Sequence, residues 1–416
     1  MPVAIWIIGL AIFAQGTSEL MLAGLLPEMS DDLGVTIPQA GLLVSVFALG
    51  MLVGAPILAI ATLRWSRRRA MVAFLAIFVV AHIVSALSSS YAVLMTARFV
   101  AAFVYAGFWA VGAGTAMALV GAERRGRAMS IVAGGLTVAT VIGLPAGTWI
   151  GQHLGWRGAF WAVAALSCVA AGAVLAAVPD TRPDTEPRIG DELRGLAVPR
   201  LWLSYAMTAV STAALLGTFT YLAAMLITTS GLQPQWVPAV LLGYGLGALV
   251  GMAVGGQAAD RWPRATLAAG FTTLLVVLVA LALTTRHVTA VSALACLLGF
   301  AGFGTNPALN SRVFAFAPSA PTLTAAGNVA SFNVGISVGP WVAGIALTAG
   351  LGYPAVPWIG AALAVLALVL LVIDVRVGGR ERAQTAEDPR RGGQPTRTVA
   401  VQGEYGRGRA CCAVGD

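Results

Sequence analysis

The sequence predicts an all-α membrane protein: twelve transmembrane helices in two six-helix bundles related as parallel repeats. Three observations carry this. Hydrophobic residues make up 58% of the 416 positions and charged residues only 10%, at a mean hydropathy of +0.85, so the apolar surface exceeds what a soluble core hides. Twelve apolar runs have the length that crosses about 30 Å of hydrocarbon as helix. The chain also resembles itself at a spacing that carries each helix onto the sixth after it.

The first run, near 3–27, has no basic segment before it and no small-residue cleavage site after it, so it reads as a retained span. It holds Gln15 and Glu19. The second, 38–61, contains "LGMLVG" and leads into the loop "LRWSRRR". The third, 70–88, carries His82, read as a buried, hydrogen-bonded imidazole rather than a relay. The fourth, 91–120, carries Arg98, Tyr105 and Trp109; the fifth, 129–150, is rich in glycine; the sixth is 158–178. Next comes "PDTRPDTEPRIGDELRGLAVPR", residues 179–200, whose prolines and mixed charges read as a solvated linker. It separates an N-terminal bundle, 1–178, from a C-terminal bundle, 201–376.

The second set runs 201–228, 237–258, 265–284, 289–310, 323–349 and 354–375. It carries Tyr221, Asn306, Asn328 and Asn333, intramembrane polar groups that serve either as interhelical hydrogen bonds or as ligand contacts. "GYGLG" at 243–247 lies inside a span and lacks the dinucleotide spacing, so helix packing accounts for it. Asp374 falls in the last turn of the twelfth helix, and residues 377–416 lack apolar periodicity and read as a disordered tail.

A shift of 197 lays "LGMLVG" on "LGALVG" and Arg64, Trp65 and Arg67 on Arg261, Trp262 and Arg264. A shift of 192 lays Gly135, Gly143, Gly147 and Trp149 on Gly327, Gly335, Gly339 and Trp341. This is the duplication from which two halves rock about a site near the midplane. Every one of the 25 basic residues is arginine. With both termini cytoplasmic, inner loops hold fourteen (Arg64, Arg67, Arg68, Arg69, Arg124, Arg125, Arg127, Arg182, Arg188, Arg194, Arg200, Arg261, Arg264 and Arg312), and outer loops hold only Arg157 and Arg286. That bias sets topology and does not indicate nucleic-acid binding.

Glu19 and Arg98 are the two charges well inside the spans. Counted from Pro27 and Tyr91, they lie at about 12 Å and roughly 10 Å, so each is the other's expected partner. A carboxyl in that position can load and release protons; the plain alternative is that the pair only pins two helices. Arg98, Ala102, Tyr105 and Trp109 share a helix face, and with Gln15 they make a candidate cavity wall; packing is an equal account of the two aromatics. Cys168, Cys296, Cys411 and Cys412 suit neither a disulfide framework nor a metal site. No nucleotide loop, metal-ligand cluster or nucleophile–base arrangement is present, so neither an enzyme, a cofactor nor an ATP-driven pump is expected.

On these motifs the chain resembles the major facilitator superfamily, and within it the twelve-span drug:proton antiporters. "DRWPR", with Asp260, Arg261 and Arg264, and its partner loop with Arg64 and Arg67 are similar to the superfamily's inner-loop motif. "RFVAAF" is similar to its helix-4 arginine motif, and "GLPAGTWIG", with Gly143, Pro145 and Gly147, to its antiport signature. "GTSELMLAGLLPEMSDDLGV" and "APSAPTLTAAGNVASFNVGISVGPWVAG" resemble actinobacterial chloramphenicol-resistance efflux proteins. The resemblance implies a proton-coupled exporter of a small apolar drug, with Glu19 as the proton site and Arg98 supporting coupling. It further implies a monomer in the plasma membrane, driven by the proton-motive force. Gln15, Glu19, Arg98, Tyr105, Trp109, Tyr221, Asn306 and Asn333 are the candidate drug contacts. Leu63 and Ser66 stand where the family usually has Asp and Gly, which puts any relay through that loop in question. A sugar, nucleoside or metabolite exporter, and a non-transporting receptor or scaffold, remain open alternatives.

Overall fold

In the computed structural model every regular element is helical among the residues described, which are 1–62, 65–180, 198–316 and 321–387. Twelve helices are long and apolar enough to cross a membrane: α1 (Val3–Leu33), α2 (Ile37–Leu58), α3 (Arg67–Leu87), α4 (Tyr91–Ala118), α5 (Arg125–Leu154), α6 (Trp156–Ala177), α7 (Pro199–Thr228), α8 (Pro234–Arg261), α9 (Pro263–Thr284), α10 (Val288–Val313), α11 (Leu323–Thr348) and α12 (Ala355–Val377). The expected count holds. Several ends move outward, because polar residues continue a helix past the hydrocarbon-length run. α1 passes Pro27 and stops at Leu33, where Gly34 takes φ 63° and donates its N–H to the Ser30 carbonyl. Gly155, at φ 77°, is the single residue that turns α5 into α6.

Met1–Val372 form one compact unit that holds both sets of helices, and Ile373–Asp416 form a second. Within the second, helix continues from α12 to Glu387, beyond the expected start of the tail. Most of the expected linker (181–197), Arg64 and residues 388–416 lie outside the described residues. Arg312, expected in an inner loop, instead ends α10 with its Nε donating to Ser204 Oγ at 3.0 Å.

The internal repeat survives into packing. A Cβ on Gly54 would stand 2.8 Å from Phe103 Cα and closer still to the Phe103 carbonyl oxygen, and one on Gly251 2.8 Å from Phe300 Cα and closer still to the Phe300 carbonyl oxygen. Gly54 and Gly251 are 197 apart, and so are Phe103 and Phe300. Hence α2 packs on α4 as α8 packs on α10. The 192 offset behaves alike: a Cβ on Gly147 would stand 2.8 Å from Met21 Cβ and one on Gly339 2.5 Å from the Ala213 carbonyl oxygen, so α5 lies on α1 as α11 lies on α7. Such close approach is the usual packing device between helices in lipid, where apolar burial alone gives no preference. Gly143 and Gly147 of the predicted signature belong to this seam, with Pro145 at the start of the α-helical stretch that follows a π-helical segment, Ala139–Gly143.

The two sets meet through α2 on α11 and α5 on α8, themselves a pair exchanged by the repeat. Tyr221, at a break in α7, seals the end that carries Leu33 and Ile37. Its ring faces Gly41 of α2 and Gly344 of α11, and its hydroxyl donates to the Pro340 carbonyl at 3.0 Å. At that same end the Gln152 Nε2 of α5 donates to the Pro234 carbonyl of α8 at 2.8 Å. Within the first set, Arg157 pairs with Asp32 and donates to the Ser88 carbonyl, fastening the ends of α1, α3 and α6 together.

Candidate functional site

Between the two sets lies a cavity of about 320 Å³, within the range that holds a drug-sized molecule. Its walls come from α1, α2, α4 and α5 and from α7, α8, α10 and α11. Each contributing helix of the first set therefore has its repeat partner opposite. The lining is mostly apolar, with Leu20, Met51, Leu215, Phe303 and Phe332 prominent. From Glu19 the lining continues through Trp109, Ala133, Met252 and Asn310 towards the arginine-rich ends of the helices, while the opposite end is closed by Tyr221 and its neighbours.

Glu19 is the only acidic or basic side chain among the residues that line the cavity. Tyr105, Trp109, Asn306 and Asn333 line it as expected. Arg98 and Gln15 do not. Arg98 is 1% exposed, one layer behind the wall, and its Nη1 donates to Ser18 Oγ at 2.8 Å and to the Ser18 carbonyl at 3.1 Å. The expected Glu19–Arg98 ion pair is not formed, unlike the pairs that join Asp32 to Arg157 and Asp180 to Arg68. The reason is angular. Successive residues stand about 100° apart around a helix, and Arg98 reaches the face that carries Ser18 while Glu19 looks into the cavity. The guanidinium also lies over the Phe47 ring at 4.1 Å. Gln15 is fully buried, and neither polar atom of its side chain has a hydrogen-bond partner.

The helix-4 face splits similarly, because Ala102 packs against Gly50 of α2 rather than into the cavity. Tyr221, expected as a drug contact, stands at the closed end, near the end of α7, and not among the residues that line the cavity. Asn310 was not anticipated. It lines the cavity, accepts from Asn328 Nδ2 through its own Oδ1, and donates to the Asn306 carbonyl at 2.9 Å, so amides of α10 and α11 form one polar strip. Asn333 Oδ1 and Asn328 Oδ1 are buried with no hydrogen-bond partner. The i, i+4 spacing of Asn306 and Asn310 was the available signal.

Of the motif residues at the other end, Arg67 donates from Nη1 to the Gly114 carbonyl at 3.0 Å, tying α3 to α4. Asp260, Arg261 and Arg264 are exposed where α8 passes into α9. His82 is buried, with Nε2 2.6 Å from Ser18 Oγ and Nδ1 2.8 Å from the Phe78 carbonyl.

The family model described as Major Facilitator Superfamily matches residues 8–331. A chloramphenicol resistance protein of Streptomyces lividans is 40% identical over 374 residues, covering 89% of this chain and 95% of its own. The inner membrane transport protein YdhP of Escherichia coli (strain K12) is 32% identical over 369 residues, covering 89% and 95%. Among solved structures, a bacterial homolog to the human lysosomal transporter Spinster, in an inward-facing and unoccupied conformation, superimposes with a TM-score of 0.68 at 19% identity, covering 89% of this chain and 94% of its own. That likeness concerns the fold alone.

Proposed function

This chain belongs to the Major Facilitator Superfamily and is a multi-pass membrane transporter, and from that premise we propose that it exports a small apolar drug, chloramphenicol first, in exchange for protons. The observation that carries the reading is the single carboxyl, Glu19, on an otherwise uncharged wall; in this reading proton and drug compete there. The 40% identity to a chloramphenicol resistance protein supports the choice of drug. The cavity's apolar lining suits the aromatic body of such a molecule, and the lining amides of Asn306, Asn310 and Asn333 suit its hydroxyl and amide groups.

In this reading the arginine-rich end is cytoplasmic, by the charge bias of the loops, both termini are cytoplasmic, and the membrane is the plasma membrane. The protein works as a monomer without a cofactor. The state described takes drug from the cytoplasm; the first six helices then rock against the second six, and protonation of Glu19 from outside releases the drug. Arg98 holds the Glu19 region at a potential that lets the carboxyl give its proton back inward. Gly143, Pro145 and Gly147 keep α1 and α5 moving together, and Arg67, Asp260, Arg261 and Arg264 engage when the cytoplasmic end closes. Exchanging a neutral drug for one proton couples export to about 2.3 kcal/mol per 100 mV, roughly a 50-fold drug gradient.

The test is drug accumulation by inverted vesicles under an imposed proton gradient. The unsubstituted protein concentrates chloramphenicol and Glu19→Gln does not, although it still binds the drug. Accumulation by Glu19→Gln at the full rate would remove Glu19 from the mechanism; accumulation of some other compound alone would keep the transporter and change its substrate.

A further inference from the structure

The transport reading gives no task to His82, and its hydrogen bonds supply one. The Phe78 carbonyl can only accept, so the imidazole hydrogen is on Nδ1, 2.8 Å away. In the neutral ring Nε2 is then an acceptor, and the Ser18 hydroxyl, 2.6 Å off, points its hydrogen there. The Ser18 lone pairs are left facing Arg98, whose Nη1 donates to that oxygen at 2.8 Å. The chain therefore runs one way, from Arg98 on α4 through Ser18 on α1 and His82 on α3 to the Phe78 carbonyl. Rings fix the imidazole from two sides, with Phe78 at 4.1 Å and Phe160 at 5.7 Å between centroids. A second proton on His82 would break the sequence, because the Ser18 oxygen would then face two cations and its own hydrogen would lose its acceptor. Two further nitrogens of Arg98, Nε and Nη2, are buried with no hydrogen-bond partner.

We propose that Ser18 and neutral His82 are positioning residues that hold the Arg98 guanidinium in one orientation, keeping Nε and Nη2 available as donors to Glu19 when that carboxyl gives up its proton. The inference rests on the antiport reading. Because Arg98 stands behind the cavity wall, loosening it affects proton coupling and leaves drug affinity alone.

The experiment uses the purified full chain with Ser18→Ala, His82→Leu and His82→Gln. Glutamine can place its carbonyl oxygen near the Nε2 position and so return an acceptor to Ser18. Chloramphenicol affinity stays within about twofold in all three, while the maximal rate of drug–proton exchange falls about tenfold in Ser18→Ala and His82→Leu, the scale of one hydrogen bond to a charged group, and largely recovers in His82→Gln. A full rate in His82→Leu would overturn the proposal, as would a parallel loss of affinity and rate with no recovery in His82→Gln. A second readout needs no transport. With three histidines in the chain, nitrogen-15 spectra of histidine-labelled protein, assigned with His82→Gln, show His82 neutral and protonated on Nδ1; a charged or Nε2-protonated ring overturns the clamp. Failure of the unsubstituted protein to exchange chloramphenicol for protons, with the expected tautomer present, would instead sink the antiport reading.

Discussion

Replacing Gly41 with alanine should push the transporter towards the state open at the end that Tyr221 now seals. A Cβ at position 41 would stand 2.8 Å from Tyr221 Cζ and 2.9 Å from Cε1, well inside contact distance. The ring has little room to yield, since it is 1% exposed and its hydroxyl is held by the Pro340 carbonyl at 3.0 Å. Gly41 is on α2 and Tyr221 on α7, in different sets of helices, so rocking relieves the clash and staying closed does not. Overpacking of this kind costs about 1–3 kcal/mol. Charged to one state only, it moves the equilibrium by about 5-fold to 150-fold. The helix-propensity gain of alanine over glycine falls on both states and cancels. The assay is the rate at which an impermeant thiol reagent modifies a cysteine placed at Leu26, which is fully buried at the sealed end, in a chain freed of its own cysteines. Gly41→Ala speeds modification at least about fivefold, and in a Tyr221→Ala background Gly41→Ala has no further effect on the rate. An unchanged rate, with thermal stability lowered instead, would show that the clash is absorbed within one state and would refute the reasoning.

Two other outcomes follow from the same geometry. Asn333→Leu removes a lining amide and weakens chloramphenicol binding about fivefold, one neutral hydrogen bond, by calorimetry on the purified protein, with no change in the drug-independent thermal midpoint beyond a few degrees. Gly54→Ala and Gly251→Ala occupy corresponding places in the two seams, so each destabilises by about 1–3 kcal/mol, and their midpoints by thermal denaturation fall together; a harmless Gly251→Ala beside a damaging Gly54→Ala would contradict the repeated packing.

Hydropathy made the twelve spans legible, because crossing hydrocarbon imposes both length and composition on a segment. The repeat was legible because close helix contact restricts a position to glycine, so that Gly54 and Gly251, or Gly147 and Gly339, stay visible when larger neighbours diverge. What a sequence shows of a buried charge is its depth, not its direction around the helix. Depth matched Glu19 with Arg98; direction gave Arg98 to Ser18, one residue away. The same ambiguity hid Asn310, whose place on the wall depends on how α10 turns after its break at Thr305. Tyr221 reads as an intramembrane polar group, yet its span ends only two turns further on, at Thr228, which sets it at the closed end rather than beside Glu19.

If proton and drug are alternatives at Glu19, drug binding alone displaces the proton. Detergent-purified protein in weak buffer is mixed with chloramphenicol while the free proton concentration is followed. Competition at Glu19 gives proton release that saturates with drug, about one per site occupied, and that vanishes in Glu19→Gln while drug binding persists. Drug binding with no proton release from the unsubstituted protein, or with equal release from Glu19→Gln, would contradict it.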